Sequence, residues 1–201
     1  MKEEQILIRI TGQDRPGLTA SVMEILAVHN AHILDIGQAD IHSTLSLGIL
    51  IRIDDTHSGP VMKELLFKAD ELNVNIGFTP ISDDEYESWV NRQGKNRFIL
   101  TVIGRTLSAK QIAAATKIIA DQGLNIDSIL RLTGRMSIKK PERNVRACIE
   151  FSLRGTPADR EQMQASLMHL ASEEEIELIA KQLGMSRSSF FKRLKALTDL
   201  S

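Results

Sequence analysis

The pattern of apolar and polar residues in the first half of the chain predicts six elements of secondary structure, four strands and two helices. Apolar residues alternate with polar ones in four segments and recur at helical spacing in two others. The predicted elements are strand Gln5–Thr11, helix 16–29, strand Ala31–Ser43, strand Leu45–Ile53, a helix opening at Ser58, and strand Val74–Ile81. This β-α-β-β-α-β order is the split βαβ arrangement, a four-stranded antiparallel sheet with both helices on one face.

The second half of the chain repeats this pattern, with Gly104 at the place of Gly12. The predicted elements are strand Arg97–Ile103, helix 109–121 with a capping box of Ser108 and Gln111, strand 124–133, strand Val145–Arg154, and a helix capped by Thr156. The repeat then fails, because the segment from Ser172 onward has helical periodicity and almost no strand signal. The pattern therefore predicts that the second copy lacks its fourth strand.

These elements predict an α+β protein of two tandem ferredoxin-like βαββαβ domains with antiparallel sheets and a short helical tail. Residues 1–82 form the first domain, and residues 83–96 form an acidic, then polar, linker with a short helix around Tyr86–Val90. Residues 97–171 form the second domain. Residues 172–201 form the tail.

Composition narrows the class of protein. The 201 residues are 42% hydrophobic and 25% charged with a net charge of −1, so bulk charge predicts neither nucleic-acid nor membrane binding. A single cysteine, Cys148, permits no intramolecular disulfide. With no signal-peptide layout and no long apolar run, we expect a cytoplasmic protein.

Signatures of catalysis and of metal binding are missing from the sequence. The five histidines are scattered, and His29 and His32 straddle a predicted turn rather than sharing a helix face as a zinc pair would. The acidic runs at residues 54–56 and 83–85 are expected to be solvated loops. We therefore predict no catalytic residue, no metal site and no cofactor.

The turn Gly12-Gln13-Asp14-Arg15-Pro16-Gly17-Leu18 is the best candidate for a binding site. Backbone N–H groups at the start of a helix can hold a carboxylate or phosphate, and Gly17 removes side-chain bulk where a ligand would approach. Arg15 suits a carboxylate. Asp14 either accepts from a ligand ammonium or caps the helix, and a helix start without a ligand is the alternative interpretation.

The sequence GQDRPGLTA, between a strand and a helix of this fold, resembles the ACT domain, a small-molecule-sensing module that usually binds amino acids between paired domains. Across residues 5–170, two copies and a short linker resemble the N-terminal regulatory half of bacterial phosphoserine phosphatases. The resemblance implies serine or a related amino acid as ligand. The implied binding residues are Asp14, Arg15, Pro16, Gly17 and Leu18. Unpaired sheet edges also favour pairing, either within the chain or as a homodimer through the ACT domains.

The second domain departs from this motif, because the turn from Gly104 to Ser108 lacks Asp-Arg-Pro-Gly. Asn125 and Asp127 could complete a site across an interface, although a helix-to-strand turn residue is the favoured interpretation of Asn125. The phosphatases hold Mg²⁺ with an Asp-x-Asp-x-Thr/Ser motif in a later catalytic domain, and that motif does not occur in this sequence.

The tail predicts two helices, the first capped by Ser172 with Glu175 and the second by Ser186. It resembles one helix-turn-helix unit of AraC-type regulators. The resemblance predicts that DNA is contacted by Arg187, Ser188, Lys192 and Lys195. A single unit would bind DNA weakly, and a helical hairpin that packs on the sheet or mediates dimerisation is the alternative.

Three functional hypotheses follow. The first is a non-catalytic, amino-acid-binding regulatory module of the serine-biosynthesis type. The second is a ligand-responsive transcriptional regulator that uses the tail. The third is a fragment of a phosphoserine phosphatase without its catalytic domain.

Overall fold

The computed structural model describes residues 2–93, 97–134, 146–174 and 176–182. The chain divides into two compact units, Met1–Gln93 (unit 1) and Gly94–Ser201 (unit 2). Each unit contains one four-stranded antiparallel sheet with its helices. The predicted fold class, two tandem ferredoxin-like repeats of α+β type, is confirmed.

Unit 1 contains four strands and three helices. They are β1 (Glu3–Gln13), α1 (Leu18–Val28), β2 (His32–Ile41), β3 (Thr44–Asp54), α2 (Asp55–Glu71), β4 (Val74–Ile81) and α3 (Asp83–Gln93). The sheet order is β2-β3-β1-β4, with β1 in the interior. Three alternate residues of β1, Ile6, Ile8 and Ile10, are buried in the core with apolar residues of α1 and α2. The predicted alternation therefore marks the face that the helices cover.

Unit 2 repeats this arrangement. Its elements are β5 (Arg97–Gly104), α4 (Ala109–Asp121), β6 (Asn125–Arg131), β7 (Ala147–Arg154), α5 (Arg160–Glu173) and β8 (Glu177–Gln182). The sheet order is β6-β7-β5-β8. Phe98, Leu100 and Val102 of β5 pack in a core with residues of α4 and α5.

The fourth strand of unit 2 is present, so the prediction that it is missing was wrong. β8 pairs antiparallel with β5, from Ile103 opposite Glu177 to Phe98 opposite Gln182. The helix predicted from Ser172 does not form, because α5 ends at Glu173. Ile176 is buried against the core, and pairing with β5 satisfies backbone groups along an edge that would otherwise stay open.

Because residues 177–182 form β8, the first helix of the predicted helix-turn-helix does not form. The residues predicted to contact DNA, Arg187, Ser188, Lys192 and Lys195, lie outside the described residues, as do Gly184 and Ser186. Residues 135–145, which include the stretch between the predicted strands 124–133 and Val145–Arg154, lie outside them as well.

The start of α2 corrects a second prediction. The helix begins at Asp55 rather than at Ser58, so residues 54–56 are not a loop. A carboxylate oxygen of Asp54 accepts from the backbone N–H of Thr56 at 3.0 Å. Hydrogen bonds from the hydroxyl and from the backbone N–H of Thr56 hold the pKa of Asp54 below its ordinary value of 3.8. Asp54 is therefore the cap of the helix.

Two further helix starts also differ from the prediction. Residues 83–85 are the acidic first turn of α3, which extends well beyond the short helix expected in the linker. Ser82 and Glu85 exchange hydrogen bonds there as a capping box. α5 begins with Asp159 as its cap instead of Thr156. In these starts an acidic side chain lies at the positive end of a helix, where it is stabilised.

The edge strands β2 and β6 share an irregularity. The pairing register of β2 shifts between Ile33 and Asp35, and that of β6 shifts between Ile126 and Ser128. The Asp35 carboxylate accepts from the backbone N–H of Ile36 at 2.9 Å. Each edge strand therefore contains a β-bulge near its beginning.

Candidate functional site

The start of α1 is not capped by a side chain. Gly17 is its N-cap residue, with a left-handed φ of 90°, and no side-chain hydrogen bond caps the helix. The first turn of α1 contains no acidic residue. The interpretation of Asp14 as the helix cap is therefore wrong. The Leu18 N–H donates to the Arg15 carbonyl oxygen at 3.4 Å, and no side chain caps the N–H groups that follow it, which remain available to an external anion.

The turn before α1 is held by backbone contacts. The Asp14 N–H donates to the Ser43 carbonyl oxygen at 2.8 Å. Ser43 and His42 both have positive φ, 61° and 53°, and join β2 to β3 as a tight hairpin. In the described part of the chain, the exposed side chains of Asp14 and Arg15 form no hydrogen bond or ion pair. The backbone thus fixes the turn while both charged groups face solvent.

The remaining residues of the motif shape the turn. Leu18 is 1% exposed and belongs to the core, so its side chain anchors α1 and does not face a ligand. A Cβ atom added at Gly17 would meet no atom within 4 Å, which leaves open space over the helix start. A Cβ added at Gly12 would lie 2.6 Å from Val74 Cγ1, so Gly12 permits the close packing of β1 and β4.

A pair of side chains beside the turn was not identified from sequence. Thr19, in the first turn of α1, donates its hydroxyl to the side-chain oxygen of Gln38 in β2 at 3.0 Å. The two residues are 19 positions apart and belong to no motif. Only the pairing of β2 with β3 brings Gln38 alongside α1. The pair adds hydroxyl and amide groups to the rim of the turn.

The corresponding turn of unit 2 is closed by its own side chains. Ser108 and Gln111 form the predicted capping box at the start of α4, which is confirmed. The Gln111 amide also donates to the Glu174 carbonyl oxygen at 3.0 Å. Lys110 forms an ion pair with the Glu174 carboxylate at 2.6 Å, and its hydrogen bond with this carboxylate raises the pKa of Lys110. The donor groups at the start of α4 therefore find their acceptors within unit 2.

Asn125 and Asp127 lie together at the start of β6. The Asn125 amide donates to Asp127 Oδ1 at 2.9 Å, and Arg154 Nη2 donates to the same oxygen at 2.7 Å. The side chains of Asp127 and Arg154 are each 17% exposed. The structure thus joins both predicted residues to Arg154 in a partly exposed polar cluster within unit 2.

The structure does not bring reactive groups together in the described ranges. Burial raises the pKa of Cys148 to about 11, with a further contribution from Glu150, so the thiol stays protonated at neutral pH. Within those ranges, no group of three or more His, Cys, Asp or Glu side chains is arranged to hold a metal ion. No helix in the described segments is long and apolar enough to cross a bilayer.

Comparison with known proteins identifies relatives of both units. Phosphoserine phosphatase SerB2 of Mycobacterium tuberculosis is 25% identical over 182 residues, which cover 90% of this chain and 41% of the phosphatase. The chain therefore spans less than half the length of this curated relative. UPF0237 protein MK1213 of Methanopyrus kandleri is 32% identical over 72 residues, which cover 35% of this chain and 80% of that protein.

Structural comparison supports the two-unit fold. A protein of unknown function from Galdieria sulphuraria superposes with a TM-score of 0.71 at 13% sequence identity, covering 90% of this chain and 99% of that one. The family model of the ACT domain matches residues 4–79, which contain the β1–α1 turn and all four strands of unit 1. Residues 4–79 of the chain therefore belong to the ACT-domain family.

Proposed function

We propose that the chain is a non-catalytic regulatory module that binds an amino acid, serine or a close relative, at the β1–α1 turn of unit 1. The observation that carries this proposal is the uncapped start of α1 beside two unpaired charged side chains. The similarity of the chain to a phosphoserine phosphatase supports the choice of serine as the ligand.

The charges of the turn match those of a zwitterion. The ligand carboxylate would accept from the first N–H groups of α1 and from Arg15, where the helix dipole favours a negative charge. The ligand ammonium would donate to the Asp14 carboxylate. A serine hydroxyl would reach the Thr19–Gln38 pair, which offers both donors and acceptors.

The edge strand β2 supports a homodimer formed through the ACT domains. Every residue of β2 is at least partly exposed, and Ile41 is 74% exposed. Ile33 and Ile36 are also exposed, although they are large and apolar. Exposed apolar residues on an edge strand are typical of an association surface. Since β2 ends at the hairpin that holds Asp14, a partner on this edge would lie near the ligand.

Calorimetric titration of the chain with the twenty common amino acids tests the binding proposal. We expect serine to bind with one site per chain and Arg15→Ala to weaken binding by about 10- to 100-fold, because a charge-assisted hydrogen bond contributes roughly 1.5–3 kcal/mol. Arg105→Ala, in the corresponding turn of unit 2, is the matched control and should keep wild-type affinity. If no amino acid binds to the folded chain, or if both variants bind equally well, the proposal fails.

The dimer is tested separately by light scattering of wild type and Ile41→Lys. The lysine places a charge on the β2 edge, so the variant is expected to be monomeric while the wild type has twice the chain mass. A monomeric wild type at micromolar concentration contradicts the dimer and leaves the binding proposal intact.

A second role is favoured by the alignment with SerB2, which extends across both units. In that role the chain regulates a phosphoserine phosphatase catalytic domain. Mixing the chain with a phosphoserine phosphatase catalytic domain should then make hydrolysis serine-dependent, whereas the chain alone should hydrolyse no phosphoserine. Unchanged hydrolysis in the mixture excludes this role.

A further inference from the structure

Two histidines meet where the end of α1 contacts the start of α2. His29, the C-cap residue of α1, places its Nδ1 atom 3.4 Å from Nδ1 of His57, in the first turn of α2. The rings lie edge to face, with an interplanar angle of 68°. The His29 side chain is only 11% exposed, whereas His57 is exposed. Solvent therefore reaches the contact from the His57 side.

The distance between the two nitrogens is that of a hydrogen bond between the rings, and it also equals the spacing of two ligands on one metal ion. In the absence of a metal, one ring donates its N–H to the other at this distance. Two imidazole nitrogens that bind one tetrahedral zinc ion, each at about 2.0–2.1 Å, are about 3.3–3.4 Å apart. The observed separation equals the edge of such a tetrahedron.

Glu64 completes the arrangement from the other side of His29. Its carboxylate oxygen Oε1 lies 3.0 Å from His29 Nε2. A carboxylate must accept this hydrogen bond, so Nε2 bears the proton and the lone pair of the neutral ring lies on Nδ1, towards His57. A carboxylate behind a metal-binding histidine orients the ring and increases its basicity.

Local charge also favours a cation here. The helix dipole is negative at the end of α1 and positive at the start of α2, so the net attraction comes from the carboxylates of Glu64, beside His29, and Asp54, beside His57. The groups that converge in the described part of the chain include no third protein ligand. Water must therefore fill the remaining positions, and binding will be weaker than at a site with three or four protein ligands.

We propose that His29 and His57 form a zinc-binding pair, with Glu64 as the positioning residue behind His29. Imidazole is a good ligand for zinc and a poor one for Mg²⁺, and tetrahedral geometry favours zinc. The ion would join the end of α1 to the first turn of α2. This location is at the opposite end of α1 from the proposed amino-acid site, so the two binding events can be measured separately.

Calorimetric titration of the full chain, without an affinity tag, with zinc chloride tests this proposal. We expect one zinc ion per chain, no binding of Mg²⁺, and a melting midpoint that rises continuously with zinc concentration, because the ion binds the folded state. His57→Gln should abolish binding without disturbing the core, since His57 is exposed. Glu64→Gln should weaken binding by about 10- to 100-fold.

The matched control is His32→Gln, which removes an exposed histidine three residues beyond His29 and should bind zinc as the wild type does. Imidazole resonances of His29 and His57, followed by NMR during the titration, should be the ones that shift. The absence of zinc binding to the wild type overturns the proposal. Equal zinc affinity of wild type and His57→Gln also overturns it.

Discussion

The two units present the same turn in two different states. In unit 1 the helix after the first strand begins at Gly17, without a side-chain cap, beside the unpaired Asp14 and Arg15. In unit 2 the corresponding helix begins with the capping box of Ser108 and Gln111. The same position of the fold is thus open to solvent in unit 1 and closed by side chains in unit 2.

The difference shows two ways in which the backbone donors at a helix start are accommodated. An uncapped helix start leaves backbone donors without protein partners, which an external anion can satisfy. In unit 2 the capping box provides a partner for the backbone donors at the helix start. Gln111 adds a hydrogen bond to the Glu174 carbonyl oxygen. We therefore expect one ligand per chain, bound in unit 1, and a more rigid turn in unit 2.

The largest expected effect comes from the glycines that begin the two turns. Gly12→Ala places a Cβ atom 2.6 Å from Val74 Cγ1, whereas Gly104→Ala meets Ile176 and Leu107 at 3.1 Å. Overpacking typically costs about 1–3 kcal/mol. We expect Gly12→Ala to lie at the upper end of this range and Gly104→Ala at the lower end, as measured by urea denaturation.

Each unit contains a natural probe for this comparison. Trp89 is the only tryptophan and lies in unit 1, whereas Cys148 is the only cysteine and lies buried in unit 2. Trp89 fluorescence should therefore report the unfolding of unit 1, and thiol labelling should report the opening of unit 2. Equal destabilisation by the two alanine variants would contradict the difference in packing.

The next effect concerns the closed turn. Gln111→Ala removes the capping bond to the Ser108 N–H and the bond to Glu174. We expect a loss of about 1–2 kcal/mol in unit 2, because a cap contributes roughly 1 kcal/mol and a hydrogen bond a similar amount. Thiol labelling of Cys148 should become faster. Gln13→Ala, in the turn of unit 1, is the control and should leave the labelling rate unchanged.

A smaller effect is expected at the rim of the open turn. Thr19→Val removes the hydrogen bond to Gln38 while keeping the shape of the side chain. Its effect on stability should be about 0.5–1 kcal/mol, as for a typical neutral hydrogen bond. Serine affinity should fall several-fold in calorimetry, while alanine affinity stays constant. An equal fall in affinity for serine and for alanine would show that Thr19 does not recognise the serine hydroxyl.

The smallest effect is on acid stability. Hydrogen bonds from Thr56 lower the pKa of Asp54 in the folded chain, so this cap stabilises α2 above pH 3.8 and is lost as the pH falls through the lower folded value. The cap of α4 has no titrating group. Circular dichroism should show a shallower acid transition for Asp54→Asn than for wild type, and no such change for Ser108→Asn.

Most of the fold could be predicted because the core strands alternate cleanly. β8 could not, since residues 172–182 fit helical spacing and only the open edge of β5 selects the strand. A signal was nevertheless present in the repeated glycines. Gly12 packs on Val74, the first residue of β4, and Gly104 packs on Ile176, just before β8. The second glycine thus matches the first in its partner as well as in its position.

The candidate site could be predicted only in part. The motif identifies Asp14, Arg15 and Gly17, because a strand–turn–helix junction of this composition has local consequences. Gln38 could not be identified, because its approach to Thr19 depends on the register of β2 and on the bulge at its beginning. Asp54 was missed as a cap because Pro60 suggests a later start, although this proline lies inside α2.

The bulge in β2 has a consequence for assembly. The bulge and the Asp35 carboxylate, which takes up the Ile36 N–H, interrupt the first part of the edge and leave a short regular stretch up to Ile41. Such an edge can accept one partner strand but cannot template an indefinite series. Concentrated protein should therefore form closed, finite assemblies rather than fibres, despite the row of isoleucines along this strand.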